Sequence, residues 1–213
     1  MTTPEPVVFV VDDDARSRES VRVMVESMNL RALTYTSAED FLERYTGEPG
    51  CLVTDLRMPG RNAVELIDTL LERRYFLPAI IITAYADVSV AVEAIQHGAV
   101  TLLEKPYREN DLWNSIRSAM QQAAEFRQLS EERQEVRARL QQLSEQERSV
   151  LDLVVDGVPN KAIARRLDIG VRTVEARRRS ILDKMHVDSV ARLVQDVVIA
   201  NAGRRPGNSA TNS

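Results

Sequence analysis

Four short apolar runs in the first half of the chain each end at a polar residue that could take part in chemistry. The residues at these ends are Asp12, Asp13, Asp55, Thr83 and Lys105. Continuous apolar runs separated by helix-like segments are typical of strands in a parallel sheet that is buried on both faces. Ligands bind beyond the carboxyl ends of such strands. We therefore expect carboxylates, a hydroxyl and an ammonium to meet at one edge of the sheet.

Together, these side chains suit the transfer of a phosphoryl group. Asp12, Asp13 and Asp55 offer only oxygen ligands, which favour a hard divalent cation such as Mg²⁺ over zinc. The cation would also relieve the repulsion between the carboxylates. Lys105 and Thr83 would bind the equatorial oxygens of the phosphoryl group during transfer. Asp55 is then the predicted nucleophile, which would form an aspartyl phosphate.

The elements that must position these residues alternate between strand and helix over residues 1–125. Strands are predicted at 7–11, 31–35, 51–54, 79–82 and 101–104. Five helices are predicted from apolar residues at helical spacing: Val21, Met24, Val25 and Met28; Phe41 and Leu42; Val64, Ile67, Leu70 and Leu71; Val88, Val90, Ala91, Val92 and Ile95; and Leu112, Trp113, Ile116, Ala119 and Met120. This alternation predicts a doubly wound α/β domain with a five-stranded parallel sheet.

Residues 126–142 are predicted to form a helical linker that continues the fifth helix. The segment contains neither Gly nor Pro, and residues 131–140 are mostly charged. A sparse apolar stripe is formed by Leu129, Val136, Leu140 and Leu143. Two interpretations of this stripe stay open, a short coiled-coil seam or a solvated and partly frayed helix.

Residues 143–202 are predicted to form a separate all-α domain of four helices. Ser144 and Glu147 have the spacing of a capping box at the start of the first helix. The third helix is predicted to begin at Val171 or Thr173. A short helix, a tight turn containing glycine and a helix with a basic outer face together indicate a helix-turn-helix.

Two further features of this second half follow from local sequence. Asn160 precedes the second helix of the domain and is predicted to cap it. Residues 203–213 have almost nothing to bury and are expected to be disordered.

The third helix of this domain carries most of the residues expected to contact DNA. Glu175, Ala176 and Arg179 share one helical face and are expected to reach base edges in the major groove. Contacts to phosphates are expected from Arg172, Thr173, Arg177 and Lys184. The complete predicted set is Lys161, Arg172, Thr173, Glu175, Ala176, Arg177, Arg178, Arg179 and Lys184.

The composition of the 213 residues is that of an ordinary soluble globular protein, with 44% hydrophobic and 28% charged residues. The single cysteine, Cys51, excludes an internal disulfide, favours a reducing compartment and is expected to be buried. No apolar stretch approaches the ~20 residues of a membrane span, and the first residues do not form a signal peptide. A cytoplasmic location without membrane contact is therefore expected.

Charge is distributed unevenly along the chain. Residues 1–140 hold 16 Lys and Arg against 23 Asp and Glu, whereas residues 141–213 hold 12 against 9. An acidic first half and a basic second half favour two domains, the second able to bind a polyanion. A random scatter of surface charge is the alternative interpretation of this feature alone.

The motifs together resemble a known family. VVDDD at 10–14, VTDLRMP at 53–59, ITA at 82–84 and EKP at 104–106 are similar to the motifs of bacterial two-component receiver domains. LSEQER at 143–148, NKAIA at 160–164 and RTVE at 172–175 resemble the LuxR-type helix-turn-helix. The combination, over about residues 1–200, is similar to the FixJ group of transcription regulators.

The resemblance implies a flavodoxin-like strand order 2-1-3-4-5 and a role for each residue at the sheet edge. Asp55 would be phosphorylated by a partner sensor histidine kinase, with Thr83 and Lys105 binding the phosphoryl group. Mg²⁺ would be held by Asp13, Asp55 and the backbone carbonyl of Arg57, with Asp12 acting through water. The resemblance also implies a cis peptide bond between Lys105 and Pro106, which costs little before proline.

The resemblance also identifies positions that tune the phosphorylated state. Arg57 and Tyr85 correspond to family positions beside the path of the water that hydrolyses the acyl phosphate. Leu102 stands where the family usually has an aromatic residue that moves on phosphorylation. Two interpretations of Leu102 stay open, an ordinary strand residue, or a switch that is weaker or depends mainly on Thr83.

These observations predict a phosphorylation-activated, sequence-specific transcription regulator rather than an enzyme that turns over an external substrate. Phosphorylation would change receiver dimerisation and release the DNA-binding domain, and the phosphorylated protein would form a homodimer on double-stranded DNA with two half-sites. One alternative is a phosphohydrolase that also uses an aspartyl phosphate, and turnover of small phosphomonoesters would distinguish it. The other is a DNA-binding protein whose receiver serves as an unphosphorylated interaction module.

Overall fold

The computed structural model describes residues 5–84, 92 and 94–201 of the chain. The chain divides into two compact units, Met1–Arg127 and Gln128–Ser213. One helix, Glu109–Gln141, contains the point of division. Within the described ranges, no helix is both long enough and apolar enough to cross a membrane.

The first unit is built on a five-stranded parallel sheet. Its strands are β1 Val7–Val11, β2 Arg31–Tyr35, β3 Gly50–Asp55, β4 Ala79–Thr83 and β5 Ala99–Glu104. All pairings are parallel and the order is β2-β1-β3-β4-β5, so the predicted fold and strand order are confirmed. The three central strands are buried almost throughout, as their unbroken apolar runs predicted.

Helices cover both faces of this sheet. Those with both ends in the described residues are α1 Ala15–Ser27, α2 Ala38–Arg44, α3 Ala63–Glu72 and α4 Glu109–Gln141, of which the first part packs on the sheet. One core contains Phe9 and Phe41 with residues of α2 and α3. The other contains Val25 of α1 and Leu112 and Ile116 of α4. The two cores follow from the alternation of side chains along the strands, which sends successive residues to opposite faces.

Some predicted apolar stripes differ from the observed ones. In α3, Leu66 is fully buried whereas Leu71 is half-exposed. Of the predicted fourth helix, residues 92 and 94–96 are helical, and residues 85–91 and 93 lie outside the described residues. In this segment Val92 and Ile95 are half-exposed and Ala94 is buried. The inward face of the segment is therefore formed by a small residue and not by the predicted Val92 and Ile95.

The second unit is all-helical, as predicted. Its helices after the end of α4 are α5 Glu145–Val155, α6 Asn160–Arg166, α7 Val171–Met185 and α8 Val190–Asn201. Helix α7 begins at Val171, which settles the start that the sequence left open. The core is formed by fully enclosed side chains from several helices, including Val150, Ile163, Val174, Ile181 and Met185.

One local prediction for the second unit is wrong. Asn160 does not cap α6, because the N-cap position belongs to Pro159 and the Asn160 amide accepts a hydrogen bond from Arg178 instead. The predicted stripe on the long helix is solvated at its start, where Leu129 is 48% exposed, and buried at its end. Val136 and Leu143 are buried in the core of their own unit.

Candidate functional site: the acidic edge and the basic helix

The carboxyl ends of β1 and β3 place two acidic residues side by side. Val11 pairs with Thr54 in the parallel register, so the next residues, Asp12 and Asp55, are neighbours at the same edge. Asp12 is buried, and the Asp55 side chain is 16% exposed. Asp12 directly follows β1 and Asp55 is the last residue of β3, so both side chains lie at the sheet edge.

Lys105 connects the two carboxylates. Its Nζ lies 2.8 Å from Asp55 Oδ1 and 3.3 Å from Asp12 Oδ2. Lys105 follows β5, and its peptide N–H donates to the carbonyl of Thr83 at 2.7 Å. The peptide bond from Lys105 to Pro106 is cis. The strand ends therefore bring an ammonium between the predicted nucleophile and its acidic neighbour.

The Lys105 ammonium keeps its charge at this site. Burial acts to lower the pKa of Lys105. The hydrogen bond to Asp55 and the negative charges of Asp12 and Asp55 outweigh burial, so the pKa lies above its ordinary value. Lys105 is consequently a cation at neutral pH, as binding of a phosphoryl oxygen requires.

Two residues of α1 complete this arrangement, and neither was predicted from the sequence. Ser17 Oγ donates to Asp12 Oδ2 at 2.5 Å and accepts from Lys105 Nζ at 2.9 Å. Arg18 Nη1 donates to the carbonyl of Asp12 at 2.6 Å. The available signal was Asp14, which caps α1 by accepting from the Ser17 N–H at 2.7 Å. That cap directs the first turn of α1 towards the acidic edge.

The donor set partly fits the expected Mg²⁺. Asp12 and Asp55 supply carboxylate oxygens, which suit a hard cation. Their other oxygens accept from backbone N–H groups, Asp12 Oδ1 from Asp14 and Asp55 Oδ2 from Arg57, both at 2.9 Å. Asp13 is exposed. In the described part of the chain, no three Asp, Glu, His or Cys side chains are grouped as they would be around a metal ion.

The remaining predicted residues of the first unit lie in different surroundings. Thr83 is buried at the end of β4, where its carbonyl accepts the hydrogen bond from the Lys105 N–H. Leu102 pairs with Ile81 in the sheet and packs against the first core, as a strand residue does. Arg57 is exposed, two residues beyond Asp55. Tyr85 lies outside the described residues.

Helix α7 divides the predicted DNA-binding residues into two groups. The exposed residues are Arg172, Thr173, Glu175, Ala176 and Arg179, and Lys161 is exposed on α6. Among the described residues, Arg172 and Arg179 form no side-chain hydrogen bond or ion pair. The other group is bound within the unit: Arg177 to Gln146 at 2.5 Å, Arg178 to Asn160, and Lys184 to Glu147 at 2.7 Å.

Glu147 joins α5 to the basic helix. It completes the predicted capping box with Ser144, whose N–H donates to Glu147 at 2.8 Å. Its carboxylate also accepts from Ser180 Oγ and Lys184 Nζ, both at 2.7 Å. The bond from Lys184, followed by those from Ser144 and Ser180, lowers the pKa of this buried carboxyl to about 2. The pairing with Lys184 was not predictable from local spacing, because Lys184 lies in another helix.

Comparison with known families agrees with this geometry. Residues 8–117 match the response regulator receiver domain, and residues 141–197 match the luxR family of bacterial regulatory proteins. The chain therefore belongs to the response regulators that join a receiver to a LuxR-type DNA-binding domain. Within that class, the chain is similar to FixJ proteins over nearly its whole length.

Two curated relatives and two solved structures span nearly the whole chain. FixJ of Azorhizobium caulinodans is 39% identical, with 96% of each chain covered. FixJ of Rhizobium meliloti is 39% identical over 92% of this chain and 97% of its own. The response regulator StyR aligns with a TM-score of 0.79 and 37% identity, covering 91% of this chain and 98% of its own. Full-length FixJ from B. japonicum gives 0.55 and 34%, covering 94% and 99%.

Proposed function

We propose that this protein is a phosphorylation-activated, sequence-specific transcription regulator. Asp55 would accept a phosphoryl group from a sensor histidine kinase, and the second unit would then bind a DNA operator. The observation that carries this proposal is the contact of Lys105 Nζ with Asp55 Oδ1 at 2.8 Å, in a chain whose α7 presents Arg179 unpaired among the described residues.

The chemistry follows from the positions of the side chains. An Asp55 oxygen attacks the phosphorus, and the bond to the donor's imidazole nitrogen breaks as the phosphoryl group moves to Asp55. Lys105 binds an oxygen of the transferred group, and Thr83 lies on the adjacent strand end. Mg²⁺ held by Asp13, Asp55 and the Arg57 carbonyl, with Asp12 acting through water, would supply charge neutralisation when bound.

Phosphorylation would act through pairing of two copies. Val92 and Ile95, which follow the Thr83 strand, expose 51% and 49% of their surface. Such apolar side chains support receiver pairing on this side of the sheet. A second contact is proposed through α8, where Val198 is 59% exposed. Pairing would raise the effective concentration of two DNA-binding units on two half-sites.

The proposal is tested by phosphotransfer followed by DNA selection. The full chain is incubated with a small phosphodonor and Mg²⁺, and bound duplexes are selected from a random pool. One phosphate on Asp55 and enrichment of a two-half-site sequence are expected. Asp55→Asn should abolish both effects, whereas Asp111→Asn, an exposed acid on α4, should change neither. Incorporation of the same phosphate by Asp55→Asn would contradict the assignment.

A further inference from the structure

The last turns of α4 carry two arginines whose side chains donate hydrogen bonds to backbone carbonyls of other helices. Arg139 Nη1 donates to the carbonyl of Met185, the last residue of α7, at 3.3 Å. Arg137 Nε donates to the carbonyl of Ala200, next to the end of α8, at 3.0 Å. Carbonyls at the C-terminus of a helix lack intrahelical partners and carry partial negative charge, so cations stabilise them there.

The same turns are packed into the second unit. Val136 is 7% exposed and belongs to the core that also contains Val174, Ile181 and Met185 of α7. Leu140 packs against that core. Packing therefore ties the last turns of α4 to the core that contains residues of α7, so the stems of Arg137 and Arg139 start from a fixed backbone.

Contacts also run in the opposite direction. Lys184, in the last turn of α7, donates to the carbonyl of Gln142 at 3.4 Å, just beyond the end of α4. Arg148 of α5 donates to the carbonyl of Leu140 at 2.9 Å. The last carbonyl of α7 therefore accepts from Arg139 of α4. The carbonyls at the end of α4 accept from Lys184 of α7 and Arg148 of α5. This exchange fixes the C-terminal end of the basic helix.

We infer that residues 128–141 act as a positioning element for the basic helix, and that Arg139 is its positioning residue for base recognition. The inference rests on the proposed DNA-binding function. Arg139 would not contact DNA itself. It would hold the end of α7 so that Glu175 and Arg179 meet the base edges at the correct depth and angle, which base readout requires more strictly than phosphate contact does.

The test compares binding of the phosphorylated full chain to two probes. One is a duplex selected by the wild-type protein from a random pool, and the other is a random-sequence duplex of equal length. Arg139→Met keeps the apolar stem and removes the donors. We expect the selected duplex to bind about 3- to 10-fold more weakly, with binding to the random duplex unchanged.

Two further variants separate positioning from other roles. Arg139→Lys keeps a cation near the end of α7 and should restore much of the discrimination. Glu135→Gln removes the exposed ion pair that Arg139 also forms, at 3.5 Å, and should leave discrimination unchanged. If Glu135→Gln reproduced the loss, the surface pair rather than the helix end would be responsible, and the inference would be wrong.

Salt dependence completes the test. A residue that binds phosphate changes the slope of log affinity against log salt by about one when it is removed, as we expect for Arg172→Ala. Arg139→Met should keep the wild-type slope. A reduced slope, or equal weakening on both duplexes, would overturn the inference. Absence of any sequence preference in the wild-type protein would instead refute the proposed function.

Discussion

Lys105 Nζ and Asp55 Oδ1 lie 2.8 Å apart although fifty residues separate them in the chain. The contact exists because β3 and β5 flank β4 and all three run in the same direction. Their carboxyl ends therefore lie at one edge, where the Lys105 ammonium and the Asp55 carboxylate meet.

Ser17→Ala should weaken the acidic edge. Asp12 would lose a hydroxyl donor and Lys105 an acceptor, so we expect the free energy of unfolding of the first unit to fall by about 1–2 kcal/mol. Urea unfolding followed by fluorescence of Trp113, the single tryptophan, measures this unit. Ser20→Ala, on the exposed face of the same helix, is the control. Equal stability of the two variants would argue against the bridging role.

Removal of metal should stop phosphorylation without unfolding the protein. The carboxylates belong to an already packed sheet, and Lys105 partly offsets their repulsion. Addition of a chelator should therefore abolish phosphate incorporation while the far-UV circular dichroism stays unchanged. Restoration by added Mg²⁺ is the control. Loss of helical signal on chelation would indicate a structural metal instead.

Glu147→Gln should destabilise the second unit in a pH-dependent way. The pKa of Glu147 is about 2 in the folded protein against an ordinary 4.5, so its contribution is present above pH 4.5 and is lost as the pH falls towards 2. At neutral pH we expect a loss of about 2 kcal/mol, because the bonds to a charged carboxylate disappear. The difference from wild type should vanish near pH 2.

The measurement uses circular dichroism, which reports both units, alongside tryptophan fluorescence, which reports only the first. Glu145→Gln, an exposed acid in the same turn of α5, is the control and should leave stability unchanged. A destabilisation of Glu147→Gln that stays constant across this pH range would rule out the charged bond to Lys184 as its cause.

Arg179→Ala and Arg172→Ala should affect DNA binding differently. Arg179 is expected at a base edge, so its loss should relax preference at one base pair by about 1–3 kcal/mol. Arg172 is expected at a phosphate, so its loss should weaken all sequences about equally. Binding to a panel of single-base variants of the selected duplex distinguishes these outcomes. Equal, sequence-independent losses would place Arg179 on the phosphate backbone.

Tyr85→Ala should shorten the lifetime of the phosphorylated state. Arg57 is exposed and lies two residues beyond Asp55. Arg57 and Tyr85, which is two residues beyond Thr83, are both predicted to border the path of water to the phosphorylated Asp55. Large side chains there would obstruct the in-line approach of the water that hydrolyses the acyl phosphate. The rate of phosphate loss from the isolated protein should rise while the affinity for Mg²⁺ stays the same. Unchanged or slower decay would contradict the obstruction.

The sequence by itself determined the framework of this protein. Apolar runs specify buried parallel strands because both faces of each strand must be covered, and the run ends then place Asp12, Asp55 and Lys105 at one edge. The capping box of Ser144 and Glu147 was also predictable, because its partners are three residues apart. Local spacing was sufficient for each of these features.

Tertiary structure decided the contacts between distant elements. The Ser17 hydroxyl bonds to Asp12 and Lys105, Lys184 pairs with Glu147, and Arg139 donates to the last carbonyl of α7. Each outcome depends on the rotation and separation of two packed elements. Side-chain periodicity shows which face of a helix is apolar, but the partner opposite a polar side chain is set only when the core between the helices has packed.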